Sequence, residues 1–141
     1  AKTFLVSCDN AHALHPNHAE KTDAVNFVTM NGGIVIKESA NQKYTTDAFS
    51  RALFTGVCQN VNVPVQSFAN RSDVVGGSTL GNLSNTQVSV HAVDFGLAQL
   101  AMHSCFETAG VKDTEYAIVA LKEFYETNVQ IEEAESVCLE K

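Results

Sequence analysis

The period of the apolar positions changes several times along the 141-residue chain, and each change predicts an element. Phe4, Leu5 and Val6 lie in a short apolar run over 3–8 that stops at Asp9-Asn10, the pattern of a buried strand ending in a polar loop. Pro16 keeps the following stretch, to about residue 23, out of helix. Gly32-Gly33 then precedes a second strand, Ile34-Val35-Ile36-Lys37. Thr45 and Thr46 are candidate caps for a helix with an apolar stripe of Phe49, Ala52, Leu53, Gly56, Val57 and Val61, ending before Pro64. Residues 65–69 read as a short strand, and a helix can start at the loop Gly76-Gly77-Ser78-Thr79. The clearest alternation sets Val88, Val90 and Ala92 against Ser89, His91 and Val93, with Gly96 closing the strand. Asp113 or Thr114 then caps a largely buried helix from about 115 to 127, and the acidic end over 131–141 reads as a frayed helix or a tail.

Strands alternating with helices in this way predict an α/β fold, with a mainly parallel sheet flanked by helices. In such sheets chemistry gathers at the carboxyl ends of strands, where Asp9, Lys37, Gly76-Gly77 and the loop to His103 all fall.

Composition narrows the class. An apolar fraction of 45% with 18% charged residues is that of a folded globular chain. The net charge of −7, with no Lys/Arg block, argues against nucleic acid or an anionic membrane as partner. Cys8, Cys58, Cys105 and Cys138 are widely spaced, which suits buried thiols in a reducing, cytoplasmic compartment better than a disulfide framework.

Several residues could carry chemistry. Asp9, where a strand meets a loop, is either a turn residue or a hard oxygen ligand for a metal. His12, His15 and His18 invite a metal-site reading, but Pro16 denies them a common helical face. Lys37 is either solvated or the selector of an acidic group. Gly76-Gly77 lacks the G-K-[ST] ending of a phosphate loop, and suits close approach of backbone to a ligand. His103 is either a core residue or a ligand, and Cys8 with His12, or Cys105 with His103, is a weak nucleophile pair.

Four motifs together change the weight of these readings. D-N-A-H-A-L-H-P-N-H-A-E-K at 9–21, V-I-K-E-S-A-N-Q-K-Y at 35–44, N-R-S-D-V-V-G-G-S-T-L-G at 70–81 and Q-L-A-M-H-S-C-F-E-T at 99–108 occur in the order found in M18 zinc aminopeptidases. The chain resembles the C-terminal portion of their catalytic domain, in the aspartyl aminopeptidase group, across nearly its whole length. Gly77 and Cys105 are minor departures.

The resemblance implies a zinc-exopeptidase α/β/α sandwich and a site with two zinc ions. Asp9 and His103 match metal ligands, one for each ion, while His12, Lys37, Tyr44, Gly76 and Gly77 match substrate-pocket positions. It implies hydrolytic removal of N-terminal residues, acidic ones by way of Lys37, from peptide substrates by zinc-activated water. The general-base glutamate, the remaining ligands and the oligomerisation domain belong to the family's N-terminal portion, leaving no catalytic residue among the matched motifs. Residues 1–141 are therefore expected to be a partial domain, inactive and weak in zinc binding alone, whose partner is the N-terminal half of the same protein in a homo-oligomer. The alternatives are a relative preferring neutral or hydrophobic residues, and a non-catalytic α/β binding or assembly module.

Overall fold

The computed structural model describes residues 3–133 and 136–140. Its centre is a four-stranded sheet of β1 (Phe4–Cys8), β3 (Ile34–Glu38), β4 (Val65–Ala69) and β5 (His91–Gly96), in the order β1-β5-β3-β4. β1 pairs parallel with β5 and β3 parallel with β4, whereas β3 meets β5 antiparallel. The fold is thus α/β with a mainly parallel, mixed sheet. Local alternation carries no strand direction, so the single antiparallel junction was not visible in the pattern. It has a consequence for the site: β1 and β3 run in opposite directions, so Asp9 and Lys37 do not share one carboxyl edge. They meet across a face of the sheet.

That face differs from its opposite. On one side Ile34, Ile36, Val93 and Phe95 pack with Phe54 and Cys58 of α1 (Ala48–Asn60) and Ala120 of α3 (Val111–Glu126). On the other side Val35 and Phe68 join Ala11, Ala13, Val28, Tyr44 and Ala98 in a smaller cluster. The second face also buries Ser7, Lys37 and Asp94, and is covered by the six-residue α2 (Leu80–Asn85) and loops. A small sheet of β2 (Ala11–His12), β6 (Ala98–Leu100) and β7 (Thr108–Ala109) adjoins it. Gly96 permits the crossing, since a Cβ there would lie 2.1 Å from the Asp9 carbonyl oxygen.

The helices depart from expectation at their ends and faces. Asp47, not Thr45 or Thr46, caps α1, accepting from the Ser50 amide at 2.7 Å while Ser50 Oγ accepts from the Asp47 amide at 2.9 Å. The buried stripe is Ser50, Leu53, Phe54, Val57 and Cys58, turned from the anticipated one. The helix ends where Asn62 adopts φ 56° and the Val63 amide reaches back to the Cys58 carbonyl at 2.9 Å. β5 begins three residues later than the alternation suggested, because the Gln87 and Val88 amides close a turn on Ser84.

α3 starts at Val111, earlier than expected, with Gly110 at its cap. Asp113 is inside the helix and buried, and its carboxylate accepts from the amides of Asn31 at 2.6 Å and Gly33 at 2.9 Å. Asn31 Oδ1 in turn accepts from the Lys112 amide at 3.0 Å. The helix covers the sheet with one stripe only, so Ile118 and Tyr125 stay exposed, contrary to the largely buried helix expected. The acidic end is neither helix nor tail. β8 (Asn128–Glu133) and β9 (Ser136–Glu140) form an antiparallel hairpin, in which Val129 pairs with Leu139 and Ile131 with Val137. Leu139 rests over Gly56 of α1. Residues 134, 135 and 141 of that stretch lie outside the described residues. Among the described residues no helix is long and apolar enough to cross a membrane.

Asp113→Ala strands two backbone donors at the turn that packs on the start of α3, and should lower unfolding free energy by about 2–4 kcal/mol in urea titration. A loss below about 0.5 kcal/mol, the level of an ordinary surface substitution, would show that the tie is not structural.

Candidate active site

Asp9, Lys37 and Tyr44 form the floor of the site. Lys37 leaves β3 on the polar face and is 2% exposed, so it is not the solvated lysine that its type favours. Its Nζ donates to Asp9 Oδ2 at 2.8 Å and to the Asn10 carbonyl at 3.3 Å, and lies 4.9 Å from the centre of the Tyr44 ring. Two of its three donors are thus used in hydrogen bonds, and the Tyr44 ring lies within cation–π range. The geometry therefore differs from a lysine directed freely at a ligand's acid.

Tyr44 is buried, and its hydroxyl oxygen accepts from Asn70 Nδ2 at 3.1 Å. Burial pushes the phenol above its ordinary pKa; the Asn70 bond opposes this, and the negative charges of Asp9 and Asp94 add to it. Gly76 passes so close that a Cβ would lie 2.5 Å from Asn70 Nδ2, while Gly77 has nothing within 4 Å and leaves open space. Asn10, read in the sequence only as part of a strand stop, fixes the chain after Asp9: its Oδ1 accepts from the Leu97 amide at 3.0 Å and its Nδ2 donates to Gln99 Oε1 at 2.7 Å.

His103 enters from the loop after β6. Both Ala101 (φ 56°) and His103 (φ 70°) are left-handed, a conformation costing non-glycine residues about 1–3 kcal/mol and concentrated at functional sites. The Ser104 amide closes a turn on the Ala101 carbonyl, and Glu107 Oε1 accepts from the His103 amide at 2.6 Å.

One cavity of about 330 Å³ is lined by Asp9, His12, Lys37, Tyr44, Gly76, Gly77 and His103, together with Asn70 and Ser78. The seven residues that match the family's metal and substrate positions thus line one cavity, drawn from four separate segments. Asp9 and His103, far apart in the chain, both line it. His15 and His18 lie tilted against each other, ring centres 5.1 Å apart, and line a neighbouring cavity that shares His12 and Asn70.

Among the described residues, no group of three or more His, Cys, Asp or Glu side chains is placed to hold a metal. The cavity is lined by one carboxylate, Asp9, and two imidazoles, His12 and His103, donors of the oxygen and nitrogen types that zinc takes but not gathered into one ligand set. The thiol alternatives fare worse. Partial enclosure of its sulfur raises the Cys8 pKa and Asp94 adds to it, although the residue as a whole is exposed, and Cys105 is absent from the cavity lining. Cys58 is buried and pushed up to about 12, whereas Cys8, Cys105 and Cys138 are exposed, so the expected burial of thiols holds for Cys58 alone.

Residues 1–125 match the family described as "Aminopeptidase I zinc metalloprotease (M18)". The chain belongs to the M18 family. It is 47% identical over 125 residues to a probable M18 family aminopeptidase 2 of Clostridium novyi (strain NT), covering 89% of this chain and 29% of that protein. A probable aspartyl aminopeptidase of Ricinus communis is 44% identical over 125 residues, covering 89% and 26%. Among solved structures, the cryo-EM structure of the Ape4 and Nbr1 complex superposes with a TM-score of 0.85 at 43% identity, covering 87% of this chain and 23% of that one. The S. cerevesiae mApe1 dodecamer superposes with a TM-score of 0.76 at 26% identity, covering 87% and 26%. The M18 chain thus spans less than a third of the length of the curated relatives it matches. The hairpin of β8 and β9 lies beyond the matched residues.

Thiolates react and thiols do not, so at pH 8 a disulfide reagent should modify Cys105 and Cys138 first and Cys8 more slowly, with Cys58 reacting only on unfolding. Labelling of Cys58 at the rate of the exposed thiols would contradict the burial described.

Proposed function

We propose that the cavity is part of an aminopeptidase active site that removes acidic N-terminal residues from peptides. The observation that carries this reading is the meeting of Asp9, His12, Lys37, Tyr44, Gly76, Gly77 and His103 at one cavity. The family's description and the name of the Ricinus communis relative support the reaction and the acidic preference.

In this reading Asp9 and His103 each hold one of two zinc ions. When bound, the metals supply a polarised carbonyl and a water acidic enough to act as nucleophile near neutral pH. Lys37 keeps the Asp9 carboxylate oriented through Oδ2, leaving Oδ1 free, and gives the floor its positive charge. The Tyr44 phenol, kept protonated by burial, is available as a hydrogen-bond donor to substrate. The open backbone at Gly77 accommodates the peptide, and His12 stands at the junction with the neighbouring cavity. The other ligands and the general base are assigned to the part of the relatives that this chain does not span, so residues 1–141 alone are inactive. A homo-oligomer follows by likeness to the mApe1 dodecamer.

A second reading has one observation in its favour. Because the Lys37 ammonium is already ion-paired to Asp9, it could serve Asp9 alone, and the enzyme would then prefer neutral residues. Lys37→Ala in the complete enzyme separates the two. Acidic selection predicts that kcat/KM on aspartyl and glutamyl substrates falls at least about 10-fold further than on leucyl substrates. Equal losses on all substrates would leave Lys37 as the orienter of Asp9 only, and absence of aminopeptidase activity in the unaltered complete protein would overturn the function itself.

A further inference from the structure

Asp94 is a carboxylate in the middle of the apolar strand β5, with no exposed surface. Its Oδ2 accepts two bonds from one residue, the Thr45 amide at 2.6 Å and the Thr45 hydroxyl at 2.8 Å. The Thr46 hydroxyl in turn accepts from the Asp94 amide at 2.9 Å. Thr45 and Thr46 directly follow Tyr44, so these bonds seat the segment carrying the phenol against β5. The other oxygen, Oδ1, has no hydrogen-bond partner and lies against Gly81, where a Cβ would come within 3.2 Å of it. Gly81 follows the Gly76–Thr79 loop that forms another wall of the cavity.

A residue needed only to fill a strand would be apolar here, because a buried carboxylate with an unmatched oxygen is costly. What Asp94 does that an apolar residue could not is bind the Thr45 amide and hydroxyl. We propose that Asp94 is a positioning residue for Tyr44: it clamps Thr45 and Thr46 to β5, and so holds the phenol against Asn70 and the Lys37 ammonium. The inference rests on the reading that Tyr44 faces substrate in this cavity.

Two readouts test it. In the 141-residue chain with isotope-labelled tyrosine rings, Asp94→Ala should displace the Tyr44 ring resonances while leaving Tyr116 and Tyr125 in place. In the complete enzyme, Asp94→Ala should lower kcat/KM at least about 10-fold, and Asp94→Asn, which keeps an acceptor for Thr45, should recover activity to within about threefold. On a Tyr44→Phe background, Asp94→Ala should add less than about a twofold loss, because the two residues act through one another. Full additivity on the Tyr44→Phe background, or unmoved Tyr44 resonances, would overturn the clamp. If Asp94→Ala fails to fold, Thr45→Val removes only the hydroxyl bond and carries the same cycle, with a loss of about threefold expected and additivity again decisive against it. Displaced Tyr44 resonances in a complete protein without peptidase activity would support the clamp and overturn the enzymatic reading.

Discussion

A lysine ammonium cannot be enclosed against a sheet face unless its charge is met, and meeting the charge of Lys37 organises the site. The partner is Asp9, at the end of an oppositely directed strand two places away in the sheet. Removing either member would leave a charge without its partner, and for a buried ion such a loss costs about 3–5 kcal/mol. Asp9 is partly open to solvent, so the penalty falls mainly on Lys37. Because the pair spans β5, it fixes where β1 stops, where the chain turns past Gly96 into β2, and where the Tyr44 ring can lie. The chemical face of the sheet is built on this contact, and the apolar face carries α1 and α3.

Much of the site was legible because its residues stand in compact local motifs. Asp9 after a strand, Lys37 at the end of one, the Gly76-Gly77 loop and A-M-H-S around His103 all announce themselves within about ten residues. The side chains that set their geometry do not. Asp113 looked like a helix cap because an acid before an apolar run usually is one, yet its acceptors serve the amides of Asn31 and Gly33, far away in the chain. Thr45 and Thr46 looked like caps for the same reason, and are instead bound to Asp94. Such long-range side-chain-to-backbone bonds leave no periodic trace. Asp94 itself gave a usable signal, a lone acid inside His91–Gly96, which the alternation argument passed over.

Topology was legible to the level of class. Alternating elements imply layers of helix and sheet, and the sheet is indeed mainly parallel. The antiparallel contact of β3 with β5 has no local signature, since strand polarity is settled by the connections. At the C-terminal end, the acidic residues drew attention from a period of two: Val129, Ile131, Val137 and Leu139 face inward while Asn128, Gln130, Cys138 and Glu140 face out. Charge was weighed where alternation should have been.

The account stands on the proposal that Asp9 and His103 belong to different metals at one cavity, although no three such side chains among the described residues are gathered to hold an ion. Metal stoichiometry of the complete enzyme, measured by elemental analysis after dialysis, tests this directly. The account predicts about two zinc ions per unaltered chain and about one in each of Asp9→Ala and His103→Ala, since a site reduced to two protein ligands holds its ion poorly. Two full equivalents retained in both variants would contradict it.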